Sequence, residues 1–246
     1  MPDVPIDYFG EDVAAGYDDP DAEMFRAETL RPTIDVLAEL AGDRPAFELG
    51  IGTGRVALPL RERGVEVHGV DLSAAMLDRL RAKPGGDRIP CHQGDFATVR
   101  LAERFGLVYL VFNTIMNLTS QDEQVACFRT AADHLLPGGY FVIEVMLPDL
   151  QRLPAGERFR PFTVTEDHLG IDEYDVVGQG LVSHHYTREP DGQLRQRSIP
   201  FRYVWPSELD LMARLAGLRP HARWADWHRA PFTADSTGHV SVWQLG

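Results

Sequence analysis

A glycine-rich segment preceded by a carboxylate is the part of this sequence best suited to ligand chemistry. Residues 50–54 read Gly-Ile-Gly-Thr-Gly, and Glu48 lies in the apolar segment just before them. A glycine-rich turn between a strand and a helix lets the backbone approach a ligand closely, and the helix N-terminus adds N–H groups and a positive dipole. A carboxylate at Glu48 suits a ligand with a cationic end better than it suits a pyrophosphate.

Further acidic residues follow the next two apolar segments. Asp71 comes 21 residues after Gly50, where a carboxylate can accept hydrogen bonds from ribose hydroxyls. Gly94, Asp95 and Phe96 follow the third apolar segment, so we expect them to face the same crevice. Alternatively, the two aspartates could cap the helices behind them, and Phe96 could be an ordinary core residue.

The elements that must position these residues alternate between strand and helix. Five apolar segments typical of buried strands occur at 46–49, 65–70, 89–92, 107–112 and 140–145. The segments between them show helical spacing of apolar residues. This alternation predicts an α/β fold with an open, mostly parallel sheet and helices on both faces. Ligands then bind at the carboxyl ends of the strands.

Segments 48–54, 69–73 and 94–96, together with Leu-Pro-Gly-Gly at 136–139, resemble the class I S-adenosylmethionine-dependent methyltransferases. The resemblance covers residues 8–145 by motifs and the end of the chain by topology. It implies a Rossmann-like sheet of seven strands, with S-adenosyl-L-methionine as cofactor and S-adenosyl-L-homocysteine as product. In layout the chain is similar to the sugar N-methyltransferases of antibiotic pathways, in which a β insertion covers the acceptor and often mediates dimerisation.

The resemblance also implies the cofactor site. Asp71 would hold the ribose hydroxyls, and Asp95 would meet the adenine amino group. Tyr17 would close over the cofactor, unless it belongs to an unstructured tail, and Arg26 would reach the cofactor carboxylate. The full set of implied cofactor-binding residues is Tyr17, Arg26, Glu48, Gly50, Gly52, Gly54, Asp71, Leu72, Met76, Gly94, Asp95, Phe96 and Asn113.

The catalytic residues are less clearly marked. Methyl transfer is an in-line displacement that depends mainly on positioning, and it needs a base only when the nucleophile must lose a proton early. His184 and His185 are adjacent on a predicted strand, so at most one of them can face the crevice. Asn117 could hydrogen-bond the substrate. A histidine on a strand is also compatible with a surface or interface position.

The chain is predicted to form one domain, 1–246. Its predicted parts are an N-terminal lid (1–21), a cofactor-binding half (22–145), a β insertion that covers the substrate (146–205), and a closing helix and β-hairpin (206–246). Within the insertion, residues 146–170 are expected to be loop-rich. Two long strands are predicted at 172–188 and 193–205, joined by a turn at Pro190-Asp191-Gly192.

Composition narrows the partners. The 246 residues carry a formal charge of −13, which is a poor match for nucleic acids and for anionic membranes. The sequence shows no signal-peptide pattern. It offers no metal-ligand spacing, and its two cysteines cannot form a disulfide framework. We therefore expect a cytoplasmic enzyme acting on a small-molecule methyl acceptor, with a homodimer through the β insertion implied by the resemblance.

The combined prediction is methyl transfer to an oxygen or nitrogen of a small molecule in specialised metabolism. One alternative is an NAD(P)-binding oxidoreductase, which needs Gly-x-Gly-x-x-Gly. Counted from Gly50, the third glycine would fall at Arg55, and counted from Gly52 it falls at Ala57, which the looser pattern permits. The other alternative is a non-catalytic binding protein with the methyltransferase fold.

Overall fold

The chain forms two β-sheets flanked by helices in this computed structural model, which describes residues 7–19, 22–189 and 191–246. The strands are β1 (Ala46–Leu49), β2 (Val67–Asp71), β3 (Cys91–Gln93), β4 (Phe105–Leu110), β5 (Leu135–Met146), β6 (Phe159–Val164), β7 (His168–Asp175), β8 (Gly180–Arg188), β9 (Leu194–Arg202), β10 (Leu218–Trp224) and β11 (Gly238–Leu245). The helices are α1 (Glu11–Tyr17), α2 (Ala27–Ala41), α3 (Ala57–Glu62), α4 (Ala74–Ala82), α5 (Gln121–His134) and α6 (Pro206–Leu215).

The larger sheet has seven strands in the order β10-β11-β5-β4-β1-β2-β3. Strands β1 to β5 pair in parallel, whereas β11 runs antiparallel to β5 and β10 runs antiparallel to β11. This confirms the predicted Rossmann-like, mostly parallel sheet. The strand order reverses at β1, which lies between β2 and β4, so the glycine-rich segment after β1 begins at the topological switch point where such sheets bind ligands.

The core lies on both faces of this sheet, because its central strands are apolar on both sides. Every residue of β4 is buried, as expected for a parallel strand covered on two faces. Leu37 of α2 and Leu77 of α4 pack in one cluster, and Phe128 of α5 and Met212 of α6 pack in the other. Within the described residues, no helix is long and apolar enough to span a bilayer.

Local side-chain and glycine signals mark the ends of several helices. The Ser73 hydroxyl accepts a hydrogen bond from Met76 N at the start of α4. Ser120 and Glu123 form a reciprocal capping box at the start of α5. The chain leaves α2 at Gly42, whose φ of 62° lies in the left-handed region.

The N-terminal segment packs on the glycine-rich segment. Residues 1–6 and 20–21 of the predicted lid lie outside the described residues. In the remainder, the Ser73 hydroxyl donates to the carbonyl of Phe9 (2.8 Å), and the Thr53 hydroxyl donates to Asp18 Oδ1 (2.6 Å). These contacts order the segment against the loop after β1 and the start of α4. Its function as a lid stays a prediction.

The second sheet has four antiparallel strands in the order β6-β7-β8-β9 and corrects two expectations. Residues 147–158 hold no strand, as expected of a loop-rich segment, whereas β6 and the start of β7 occupy most of residues 159–170. The predicted strand 172–188 is in fact two strands. The chain reverses between them because the Asp175 carboxylate accepts hydrogen bonds from the backbone N–H groups of Val177 (3.0 Å) and Gly178 (3.1 Å).

The predicted turn before β9 is partly described. Strands β8 and β9 pair along their whole length, and Asp191 Oδ1 accepts a hydrogen bond from Gln193 N in the connection between them. Pro190 lies outside the described residues. Dimerisation through this sheet stays a prediction.

Candidate functional site

A cavity of about 530 Å³ opens at the carboxyl ends of the parallel strands, within the roughly 300–1,000 Å³ of small-molecule sites. The glycine loop, defined as residues 50–56, forms one side of it. Residues 7–9 and Tyr17 come from the N-terminal segment. The wall segment, defined as residues 111–119, follows β4, and the roof, defined as Ile199–Phe201, belongs to β9. The cavity therefore extends from the glycine loop to the second sheet.

The glycine loop needs its glycines for backbone conformation and for space. Gly50, Gly52 and Gly54 have φ values of 75°, 53° and 80°, which L side chains rarely adopt. A Cβ on Gly50 would lie 2.5 Å from Thr114 Cγ2, and one on Gly54 would overlap the Leu80 side chain. At Gly52 a Cβ would meet nothing within 4 Å, and this residue faces the cavity. The loop thus presents bare backbone to a ligand.

Asp71 is held in one orientation at the end of β2. Its Oδ2 accepts a hydrogen bond from Gly52 N (2.7 Å), and its Oδ1 accepts one from Ser73 N (2.9 Å). Burial raises the pKa of Asp71 above its ordinary value, although these two hydrogen bonds oppose the shift. The carboxylate therefore links the glycine loop to the start of α4 and lines the cavity with a fixed acceptor.

Glu48 is the most deeply buried carboxyl of the site. It is 3% exposed, and its Oε2 accepts a hydrogen bond from the Tyr109 hydroxyl (3.0 Å). Burial raises the pKa of Glu48 to about 8, with smaller opposing effects from Tyr109 and Arg55. At neutral pH the carboxyl therefore retains its proton in much of the population, and a cation placed beside it would favour its ionisation.

Arg55 lines the cavity, although its place in the sequence was evidence only against a dinucleotide site. Its Nη1 donates to the carbonyl of Met24 (3.2 Å), and its guanidinium lies 4.8 Å from the ring centroid of Phe112. Arg26, the arginine implied by the resemblance, is exposed at the start of α2 and is not among the residues that line the cavity. The sequence signal that could have identified Arg55 as a site residue is its position directly after Gly54 of the glycine loop.

The start of the wall segment has an unusual backbone. Phe112 and Asn113 have φ values of 56° and 64°, a conformation that costs about 1–3 kcal/mol per non-glycine residue. Glu144 stabilises it, because its Oε2 accepts from Phe112 N (2.8 Å) while its Oε1 accepts from Trp227 Nε1 (2.8 Å). Asn113 Oδ1 in turn accepts from Met146 N (2.7 Å). Neighbouring parts of the chain thus hold this wall in place.

Most of the cofactor residues implied by the sequence lie around the same cavity. Gly54 shapes the loop from behind, and Gly94 and Arg26 are not lining residues. The predicted cofactor residues that line the cavity are Tyr17, Glu48, Gly50, Gly52, Asp71, Leu72, Met76, Asp95, Phe96 and Asn113, and Asn117, predicted as a catalytic residue, lines it as well. Bare backbone at the loop, oriented carboxyls and apolar side chains fit a ligand with a charged end, hydroxyls and an aromatic base.

The two predicted catalytic histidines lie elsewhere. His184 contacts Ser198 Oγ through Nδ1 (2.8 Å) and Glu173 Oε2 through Nε2 (3.3 Å). His185 Nδ1 lies 3.0 Å from His168 Nε2. Both histidines belong to β8, and neither lines the cavity. Both ring nitrogens of His184 and Nδ1 of His185 are engaged within the second sheet, so the structure gives no support for a role of either histidine as the base.

Comparison with known proteins identifies the fold and the chemistry. Residues 46–139 match the methyltransferase domain family. The CcbJ methyltransferase from Streptomyces caelestis is 39% identical, with 96% of each chain covered and a TM-score of 0.83. The cypemycin N-terminal methyltransferase from a Streptomyces species is 28% identical over 232 residues, which are 89% of this chain and 94% of the relative.

A third relative shares the fold at lower identity. The S-adenosylmethionine-bound amino pentose methyltransferase of calicheamicin biosynthesis from Micromonospora echinaspora is 21% identical, covers 94% of this chain and 95% of its own, and gives a TM-score of 0.71. Neither the oxidoreductase nor the non-catalytic alternative finds support among these relatives. The strand order, the cavity and the 39% sequence identity to the CcbJ methyltransferase over 96% of the chain lead to one conclusion. This chain belongs to the class I S-adenosylmethionine-dependent methyltransferases.

Proposed function

We propose that the chain methylates an amine of a small natural product, with the cofactor along the glycine loop and the acceptor beneath the roof. The observation that carries this proposal is that a single cavity is lined both by Gly52 and Asp71 and by Ile199–Phe201. The nitrogen acceptor is carried over from two relatives, one named an N-terminal methyltransferase and one an amino pentose methyltransferase.

The ribose and adenine of the cofactor contact three side chains near the glycine loop, namely Asp71, Leu72 and Met76. When bound, S-adenosylmethionine supplies an electrophilic methyl group. Asp71 binds the ribose hydroxyls, because its oxygens are already oriented by the N–H groups of Gly52 and Ser73. Leu72 and Met76 enclose the adenine. These are contacts that need little rearrangement of the loop.

Glu48 and Arg55 bind the amino-acid end of the cofactor in this proposal. An ammonium group beside Glu48 offsets the burial that raises the pKa of that carboxyl, and Arg55 is positioned to receive a carboxylate. Tyr17 covers this end, with its ring packed edge-on against Phe25 at a centroid distance of 6.1 Å. The functional arginine of the site is then Arg55 rather than Arg26.

At the acceptor end the residues position the amine and exclude water. The Asn117 side chain donates to the carbonyl of Thr114 (3.1 Å), which orients its Oδ1 as the acceptor for a substrate N–H. An α-amine has a pKa of about 8, so a useful fraction is neutral at neutral pH and reacts without a protein base. The proposal therefore omits His184 and His185.

Matched acceptors test this function. We expect transfer from S-adenosylmethionine to the amines of trialanine or 3-amino-3-deoxyribose, detected as S-adenosylhomocysteine release and an N-methyl product by mass spectrometry. The controls are the corresponding hydroxyl compounds, lactyl-dialanine and ribose. Methylation of the hydroxyl compounds with the amines untouched would overturn the nitrogen assignment, and absence of S-adenosylhomocysteine binding at millimolar concentration would overturn the cofactor site.

A further inference from the structure

A buried cluster of polar side chains lies behind the roof, outside the cavity wall. It consists of Gln124 of α5, Gln179 just before β8, Arg202 at the end of β9 and Glu208 of α6. Arg202 is 4% exposed and Gln124 is fully buried. Burying a guanidinium is costly, and apolar residues of similar volume often give equal or greater stability. Such a cluster is therefore better explained by the geometry that it fixes than by stability.

Arg202 is the centre of this polar cluster. Its Nη2 donates to Glu208 Oε1 (2.7 Å) and to Gln179 Oε1 (3.1 Å), and its Nη1 donates to Gln124 Oε1 (2.5 Å). Burial alone would raise the pKa of Glu208, but hydrogen bonds from Arg202, Gln179 and Gln121 hold it below its ordinary value. The ion pair therefore stays charged at neutral pH, and the guanidinium has a defined orientation.

Gln124 connects this polar cluster to both sides of the acceptor end. Its amide oxygen accepts from the Arg202 guanidinium, while its Nε2 is within hydrogen-bond distance of the carbonyls of Arg202 (3.1 Å), Leu118 (3.2 Å) and Ile115 (3.3 Å). Ile115 and Leu118 belong to the wall segment, and Arg202 directly follows Phe201 of the roof. One buried side chain thus bonds to the backbone of the wall segment and to the backbone of the residue that directly follows the roof.

We propose that Gln124, Arg202 and Glu208 are positioning residues that set the spacing between the roof and the wall segment and so select the methyl acceptor. This inference rests on the proposed function, in which the acceptor lies between those two surfaces. Among the described residues, this polar cluster has no hydrogen bond to the glycine loop or to Asp71, so its loss affects acceptor recognition and leaves cofactor binding unchanged.

Hydrogen–deuterium exchange tests the positioning directly. In Gln124→Met, we expect the rate of amide exchange in residues 111–119 and 199–205 to rise about tenfold. The reason is that the lost hydrogen bonds shift the local opening equilibrium by about one order of magnitude. The matched control is Thr130→Val, which removes a buried hydrogen bond from the same helix to the carbonyl of Ala97. Equal exchange in both variants at equal overall stability would overturn the proposal.

Comparing the KM for the acceptor with the Kd of S-adenosylhomocysteine separates the two possible roles. A residue with a purely structural role would not change the KM while leaving the Kd unchanged. We expect Gln124→Met to raise the KM for trialanine or 3-amino-3-deoxyribose, with the Kd of S-adenosylhomocysteine unchanged. Gln124→Glu keeps an acceptor for Arg202 and loses the N–H donors, so it should reproduce the defect. It also serves as the second variant if Gln124→Met does not fold.

The two proposals fail in different ways. If the wild-type protein methylates neither amine, the proposed function fails, whereas the exchange experiment still decides whether these residues hold the roof against the wall segment. If the amines are methylated and their KM is unchanged in both Gln124 variants, the positioning proposal is wrong and the proposed function stands.

Discussion

Two largely buried glutamates mark the difference between the two ends of the molecule's binding region. Glu48, beside the glycine loop, has its pKa raised to about 8 by burial, and its hydrogen-bond partner is the neutral hydroxyl of Tyr109. Glu208, behind the roof, has its pKa lowered by hydrogen bonds from Arg202, Gln179 and Gln121 that outweigh its burial. Glu208 thus has a cationic partner within the polar cluster, whereas Glu48 is hydrogen-bonded to a neutral hydroxyl, and our proposal places the ammonium group of the ligand beside it.

The two ends also differ in what determines their shape. At the cofactor end the backbone itself is specified, because Gly50 and Gly54 combine left-handed φ values with steric contacts that exclude a side chain. At the acceptor end the spacing depends on side-chain hydrogen bonds between β9, α5 and α6. Substitutions can alter the second arrangement without breaking the first, which suits a common cofactor combined with different acceptors.

The largest expected effect concerns the charge at Glu48. Burial raises its folded pKa from an ordinary value of 4.5 to about 8, so its contribution to stability is fully present below pH 4.5 and is lost as the pH rises towards 8. This amounts to about 5 kcal/mol at about 1.4 kcal/mol per pH unit. Urea unfolding should show this decline in the wild type and a flatter profile in Glu48→Gln. Parallel pH profiles would contradict the assignment.

The next-largest effect is expected at Asp71, whose carboxylate is proposed to bind the ribose hydroxyls. Asp71→Ala removes a charged acceptor, and each such hydrogen bond contributes about 1.5–3 kcal/mol. We therefore expect S-adenosylhomocysteine to bind at least about tenfold more weakly in calorimetric titration. Asp71→Asn is the control that keeps the shape and removes the charge. Unchanged affinity in both variants would show that Asp71 is not the ribose ligand.

A pair of glycine substitutions separates strain from steric overlap. Gly64→Ala introduces only the strain of a φ of 90°, because a Cβ there meets nothing within 4 Å, and should cost about 1–2 kcal/mol. Gly50→Ala adds overlap with Thr114, for a further loss of about 1–3 kcal/mol. Urea midpoints measure the difference. Equal losses of stability in the two variants would mean that Thr114 and the wall segment shift without cost to accommodate the added methyl group.

The smallest effect is expected from the histidines of β8. Because His184 and His185 bond within the second sheet and do not line the cavity, replacing either with alanine should leave the pH profile of kcat unchanged. Steady-state kinetics with trialanine over the neutral range measures this. Loss of a titration step from the pH profile of kcat in either variant would indicate that the replaced histidine acts as the base.

The cofactor end could be predicted because its signals are local. Glycines at fixed spacing and an aspartate at the end of the next strand specify a backbone that few other residues allow, and the capping box of α5 lies within four consecutive residues. The strand β6 was missed because residues 159–164 are mostly exposed and carry little apolar patterning. Arg55 was overlooked because its side-chain contacts come from Met24 and Phe112.

Long-range pairing explains most of what the sequence did not reveal. Glu144 supports Phe112 across 32 residues, and Gln124 meets Arg202 across 78 residues. No spacing rule connects such positions, because the contacts arise only when the strands and helices pack together. The wall segment and the roof depend on contacts of this kind, so the sequence pointed to Asn117, which lines the cavity, but not to Gln124, Arg202 or Glu208.

A crystal structure with S-adenosylhomocysteine tests the central claim most directly. We predict that the ligand lies in the cavity along Gly50–Gly54, with its ribose hydroxyls on Asp71 and its amino-acid end between Glu48 and Arg55, while the space beneath Ile199–Phe201 stays open. Electron density for the ligand at any other site, or a ribose that does not contact Asp71, would contradict this account.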